Sequence, residues 1–124
     1  MASLNTFGAI LTYAINLEAQ LRDYYQSAGD TDRAKEADKR RAKLERIRRE
    51  NVLEITLEPI EGLDEGNYMF NFDDTAPSGQ AAVEQVAARF YAAVAPKINV
   101  RQAQRVLERF GKQHASLAHT SIRR

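Results

Sequence analysis

Two glutamates stand in this chain where aliphatic side chains would be expected. Phe7, Leu11, Ala14, Glu18, Leu21 and Tyr25 recur at helical spacing, with Glu18 in the middle of the stripe. The segment Val83, Glu84, Ala87, Phe90, Tyr91, Val94 repeats the arrangement, and Glu84 precedes Tyr91 by the same seven residues that separate Glu18 from Tyr25. Burying an ionised carboxylate alone costs several kcal/mol even after relaxation. Each glutamate must therefore be neutralised, hydrogen-bonded, metal-bound or less buried than its stripe implies. Two such helices, packed by their apolar stripes, would present an inward-facing carboxylate pair.

The elements that must position this pair can be read from periodicity and punctuation. A first helix is expected over about 3–28, stopped by Gly29 in a left-handed turn, with Asp30 then capping a second. The second, over about 31–57, is highly charged; its apolar or small positions are Ala34, Ala37, Leu44, Ile47, Val52 and Ile55, and Glu58-Pro59 ends it. The stretch from Ile60 to Gly79, with three glycines, Pro77, Asn67 and Asn71, shows no helical period, and residues 58–77 read as a long connection. A third, alanine-rich helix is expected over 78–95, closed by Pro96. A fourth is expected over 99–118, with Asn99 and Gln102 spaced as a capping box. A helix of ~25 residues is ~38 Å long, and a ~20-residue connection reaches ~65 Å, so the connection can run the length of a bundle and join two helical hairpins. The expected fold is all-α, a single four-helix domain of 124 residues made of two similar hairpins joined by a long crossover.

Composition narrows the chemistry. With 18 basic and 17 acidic residues the net charge is +1, so no global field selects a nucleic acid or an anionic membrane. Cysteine is absent, which removes disulfides, thiolate zinc sites and cysteine nucleophiles and leaves carboxylate and imidazole as the metal donors. No apolar run approaches the ~20 residues of a membrane span, and the start lacks the pattern of a signal peptide; a soluble, cytoplasmic protein is expected. No glycine-rich phosphate loop, nucleophile elbow or serine-histidine-aspartate set can be placed.

Through Leu17-Glu-Ala-Gln-Leu-Arg-Asp-Tyr-Tyr25 and Val83-Glu-Gln-Val-Ala-Ala-Arg-Phe-Tyr91 the chain resembles the ferritin-like superfamily, closest to rubrerythrin-type four-helix bundles. The resemblance implies a di-metal site of iron or manganese acting on oxygen or peroxide. Such sites take one Glu from each of two helices and a Glu-x-x-His pair from each of the others. Glu18 and Glu84 match the single-Glu positions. In the fourth helix His114 is preceded by Gly111, giving Gly-x-x-His. In the second helix the positions level with Glu18 are Ala34-x-x-Ala37 or Glu36-x-x-Lys39, neither with a histidine, and the Ala34, Ala37, Arg41, Leu44 face continues the apolar stripe better. The candidate metal ligands are thus Glu18, Glu84, His114 and Glu36, in a degraded set. Arg41 or Lys39 stands ready to neutralise the carboxylates electrostatically in place of a metal.

The remaining features have plain readings beside functional ones. The many bases of the second helix could track phosphates. Yet Glu36 with Arg40 and Glu45 with Arg49 form favourable i,i+4 pairs, so the run reads as a solvated, self-paired face and nucleic-acid binding is the minor reading. Tyr68-Met-Phe-Asn-Phe72 either pins the connection to the helices or forms a dimer surface or lid. Tyr13, Tyr24, Tyr25 and Tyr91 are expected in the core, with Tyr25 and Tyr91 placed to reach a glutamate. The functional expectation is a non-catalytic structural or interaction protein with no bound cofactor, pairing as a homodimer or with another protein. The alternative is an iron or manganese metalloprotein.

Overall fold

The structure, a computed structural model, describes residue 4, residues 6–51, residue 63 and residues 65–123. The protein is all-α, with four helices among the described residues: α1 (Phe7–Ser27), α2 (Thr31–Glu50), α3 (Pro77–Val94) and α4 (Arg101–Arg123). The chain divides into two compact units, Met1–Leu63 and Asp64–Arg124, each containing one helical hairpin.

In the first unit, the Thr6 hydroxyl accepts the Ala9 N–H at 2.9 Å and caps α1. The helix ends as Gly29 and Asp30 predict. Gly29 adopts φ +81°, its N–H bonds Gln26 O at 3.1 Å, and the Asp30 N–H reaches back to Tyr25 O at 2.9 Å. This closure satisfies carbonyls at the helix end and needs a residue free to turn left-handed. The Asp30 carboxylate then accepts the Arg33 N–H at 3.1 Å, so one two-residue turn ends one helix and starts the next. The helices run antiparallel: Glu18 lies opposite Arg40, and Arg22 lies opposite Asp38.

Helix α2 ends at Glu50, short of the expected 57. The Asn51 side-chain amide donates to Ile47 O at 2.8 Å and its backbone N–H to the same carbonyl at 3.0 Å, the local side-chain competition that favours Asn at helix ends. Val52, Ile55 and the Glu58-Pro59 stop lie outside the described residues.

In the second unit, Pro77 takes the first position of α3, where its missing N–H costs nothing. The described part of the connection folds onto this helix. Tyr68 meets Phe90 edge-on with centroids 5.6 Å apart, Gln80 Nε2 donates to Thr75 O at 2.9 Å, and Arg89 donates to Asn67 O at 3.3 Å. Tyr68 therefore pins the loop, and burial pushes its phenol above the usual pKa. Phe70 and Phe72 stack on each other, while Met69 is left 75% exposed. A 3-10 turn, Ala95–Lys97, leads to α4, at whose start the Gln104 N–H bonds Val100 O at 2.9 Å. No described helix is long and apolar enough to cross a membrane.

Candidate functional site: two buried acid–base pairs

Glu18 and Glu84 are both fully buried, as their stripes require. Each meets a basic side chain on the other helix of its own hairpin. Arg40 Nε donates to Glu18 Oε1 at 2.8 Å, with the arginine side chain only 5% exposed. His114 Nδ1 hydrogen-bonds Glu84 Oε2, and that imidazole is also fully buried. For Glu18 and Arg40, a buried ion pair offsets its desolvation only through close, hydrogen-bonded geometry of this kind.

The partner of Glu18 differs from the expected one. Arg41 lies on the flank of α2, bonding Asp38 at 2.9 Å and Glu45 at 2.8 Å; Lys39 is 76% exposed and meets Glu36 at 3.5 Å. The inward face of α2 is Arg33, Ala34, Ala37, Arg40, Leu44 and Ile47. Arg40 and Arg41 stand three and four residues after Ala37, so helical period alone admits both. Ile47 decides between them: counting back from it by alternate steps of three and four gives Leu44, Arg40, Ala37 and Arg33, a continuous seam. Glu36 points outward with Lys39 and is not part of the buried site.

The register exposes a correspondence between the hairpins. Ala37-x-x-Arg40 holds the place in α2 that Gly111-x-x-His114 holds in α4: a small residue, then a base, facing a Glu that stands seven residues before a buried Tyr. This replaces both earlier alternatives, Ala34-x-x-Ala37 and Glu36-x-x-Lys39. Each tyrosine lies against a basic side chain, Tyr91 against the His114 of its pair and Tyr25 against Arg33 rather than Arg40. The guanidinium of Arg33 lies 5.5 Å from the Tyr25 ring centre, and the His114 ring stacks on Tyr91 at 5.4 Å with planes 6° apart. Tyr91 in turn meets Phe90 and Phe110 edge-on, so the imidazole is held in an aromatic wall.

Gly111 explains why no carboxylate stands there. A Cβ on it would lie 3.1 Å from Tyr91 Cβ, so α3 and α4 approach too closely for a side chain without displacement of the tyrosine. Gly111→Glu, which would complete a Glu-x-x-His, is therefore expected to lower unfolding stability by about 1–3 kcal/mol, measured by urea denaturation, through overpacking beside a buried ring.

A second, exposed network ties the first hairpin together. Arg22 donates to Asp38 at 3.0 Å across the helices, and Arg41 joins from α2. Hydrogen bonds from Arg41 and then Arg22 hold the Asp38 carboxyl below its ordinary pKa. The stabilisation is present at neutral pH and is lost as pH falls through that lowered value; solvent exposure keeps it small.

Among the described residues, no three of His, Asp and Glu come together as a metal-holding group. No family model, no curated protein and no solved structure matches this chain.

Proposed function

We propose that this chain is a non-catalytic structural or interaction protein on a ferritin-like plan, its two hairpins joined by the long crossover into a bundle. In this reading the place of a di-metal centre is taken by one buried acid–base pair in each hairpin. The observation that carries the reading is the 2.8 Å contact of Arg40 with Glu18, because a guanidinium fixed on that carboxylate supplies the positive charge a metal would otherwise supply. Of the four residues first considered as ligands, Glu18 and His114 each already engage a protein group, Glu84 is bonded by that same imidazole, and Glu36 faces solvent.

The rival reading, an iron or manganese protein, draws on Glu84 and His114 being in contact and keeping two of the donor types such a centre uses. Metal removal separates the two. A centre that folds around metal loses stability to a chelator. On the proposed reading, thermal unfolding followed by circular dichroism is unchanged, within about 1 °C, after dialysis against excess EDTA and after re-addition of ferrous iron or manganese. A chelator-induced fall of several degrees that added metal reverses would overturn it.

A further inference from the structure

The ion pairs of α2 join other residues than Glu36 with Arg40 and Glu45 with Arg49, and a row of bases stands on its outward side. Arg40 turns inward to Glu18 and so is not paired with Glu36; Glu45 bonds Arg41 and so is not paired with Arg49. Lys35, Lys43 and Arg49 have no ion pair among the described residues. Lys39 and Arg46 have only solvent-exposed partners, Glu36 at 3.5 Å and Glu50 at 2.7 Å. Exposed pairs of this kind contribute about 0–1 kcal/mol and exchange readily for another anion.

These five residues share one side of the helix. At about 100° per residue, Lys35, Lys39, Lys43, Arg46 and Arg49 fall within a sector of about 120°, opposite the buried seam, and the row extends about 21 Å along the axis. Asp32 and Glu50 lie within the same sector, one at each end of the row, and Glu36 lies beside it at about 100° from Lys35. Lys35, Lys39, Arg46 and Arg49 are exposed and Lys43 is half-buried, so the first hairpin does not cover the row.

We infer that this row binds the phosphate backbone of a nucleic acid, without reading its sequence. Three features favour that ligand over other polyanions. The row is straight and rigid, and a regular helix presents its cations at the repeated spacing a phosphate chain can follow. It carries no exposed aromatic or large aliphatic anchor: the one apolar residue between these bases on that side is Ala42, whereas protein partners are held mainly by buried aromatic and aliphatic side chains. A membrane surface would also need an apolar face to insert, and the apolar face of α2 is buried in its hairpin. Contacts confined to phosphates position a protein on a duplex and carry no base information. The inference rests on α2 alone, so it stands or falls separately from the metal question.

The test is fluorescence anisotropy of the full chain with a labelled 24-base-pair duplex of arbitrary sequence, from 50 to 200 mM KCl. Three to four phosphate contacts predict a log–log salt slope of about −3 and a loss of roughly fiftyfold to a hundredfold in affinity over that range. The variant Lys35→Gln/Lys43→Gln/Arg49→Gln, checked for helicity by circular dichroism, is expected to bind at least tenfold more weakly and with a shallower slope. A control removing equal charge from α4, Arg101→Gln/Arg105→Gln/Lys112→Gln, is expected to bind within threefold of wild type. Absence of binding at 50 mM KCl, an equal loss in the control, or binding to phosphatidylserine vesicles but not to the duplex would overturn the inference.

Discussion

Glu18→Ala is expected to destabilise the protein by about 3–5 kcal/mol, because it leaves the buried Arg40 guanidinium in place after removing the carboxylate that Arg40 Nε bonds at 2.8 Å. The loss is due to a charge kept out of water, not to the missing atoms of Glu18. The double variant Glu18→Leu/Arg40→Met separates those causes. Replacing both ions by apolar side chains of similar volume removes the desolvation penalty with the attraction, so the double variant is expected to be within about 1 kcal/mol of wild type or more stable. Urea denaturation of the four proteins in this cycle gives the coupling energy directly. A single variant as stable as wild type would show that the pair does not carry the electrostatics assigned to it.

The second large effect is expected at His114. His114→Ala removes the imidazole bonded to Glu84 and opens a void against the Tyr91 ring, with an expected loss of about 3–5 kcal/mol from an altered buried acid and a cavity together. His114→Gln keeps an amide donor near the carboxylate and is expected to recover roughly half of that loss. The other histidine is the internal control. His119 is exposed, and His119→Ala is expected to change stability by no more than about 0.5 kcal/mol. Equal, small effects at both histidines would remove the basis for treating Glu84 and His114 as a structural pair.

Much of the fold was legible in the residues. The stripes of α1 and α3 are apolar enough for period alone to find them, and the glutamates stand out because they interrupt those stripes. Gly29 and Asp30 mark the turn through two well-understood preferences, positive φ and carboxylate capping. Helix α2 was harder because its surface is mostly charged and its inward face contains two arginines, Arg33 and Arg40. Charged side chains give no apolar signal, so the register depended on Ile47, and the Ala37–Arg41 alternative had the same local spacing. The ion pairs followed from the register: with Arg40 facing inward, Glu36 bonds Lys39, Glu45 bonds Arg41 and Glu50 bonds Arg46, so that on the outer face, among the described residues, Lys39 and Arg46 are paired and Arg49 is not. The end of α2 was overestimated for a related reason. Val52 and Ile55 continue the apolar period, while a side-chain amide closing on Ile47 O competes locally and leaves no periodic trace.

Gly111 shows the limit of scoring a site by motif. In the sequence it stands where the resemblance to di-metal bundles would place a glutamate; in the fold it is the point where α4 passes within contact distance of Tyr91. A side chain at that position needs Tyr91 to shift by a few tenths of an ångström.

The central claim is that Arg40 and His114 do for Glu18 and Glu84 what metal ions would otherwise do. It is tested most directly by inductively coupled plasma mass spectrometry on untagged protein, purified without chelator from cells grown with iron and manganese. The account predicts less than about one metal ion per ten chains; one or two equivalents of iron or manganese per chain, lost in Glu18→Gln/Glu84→Gln, would contradict it.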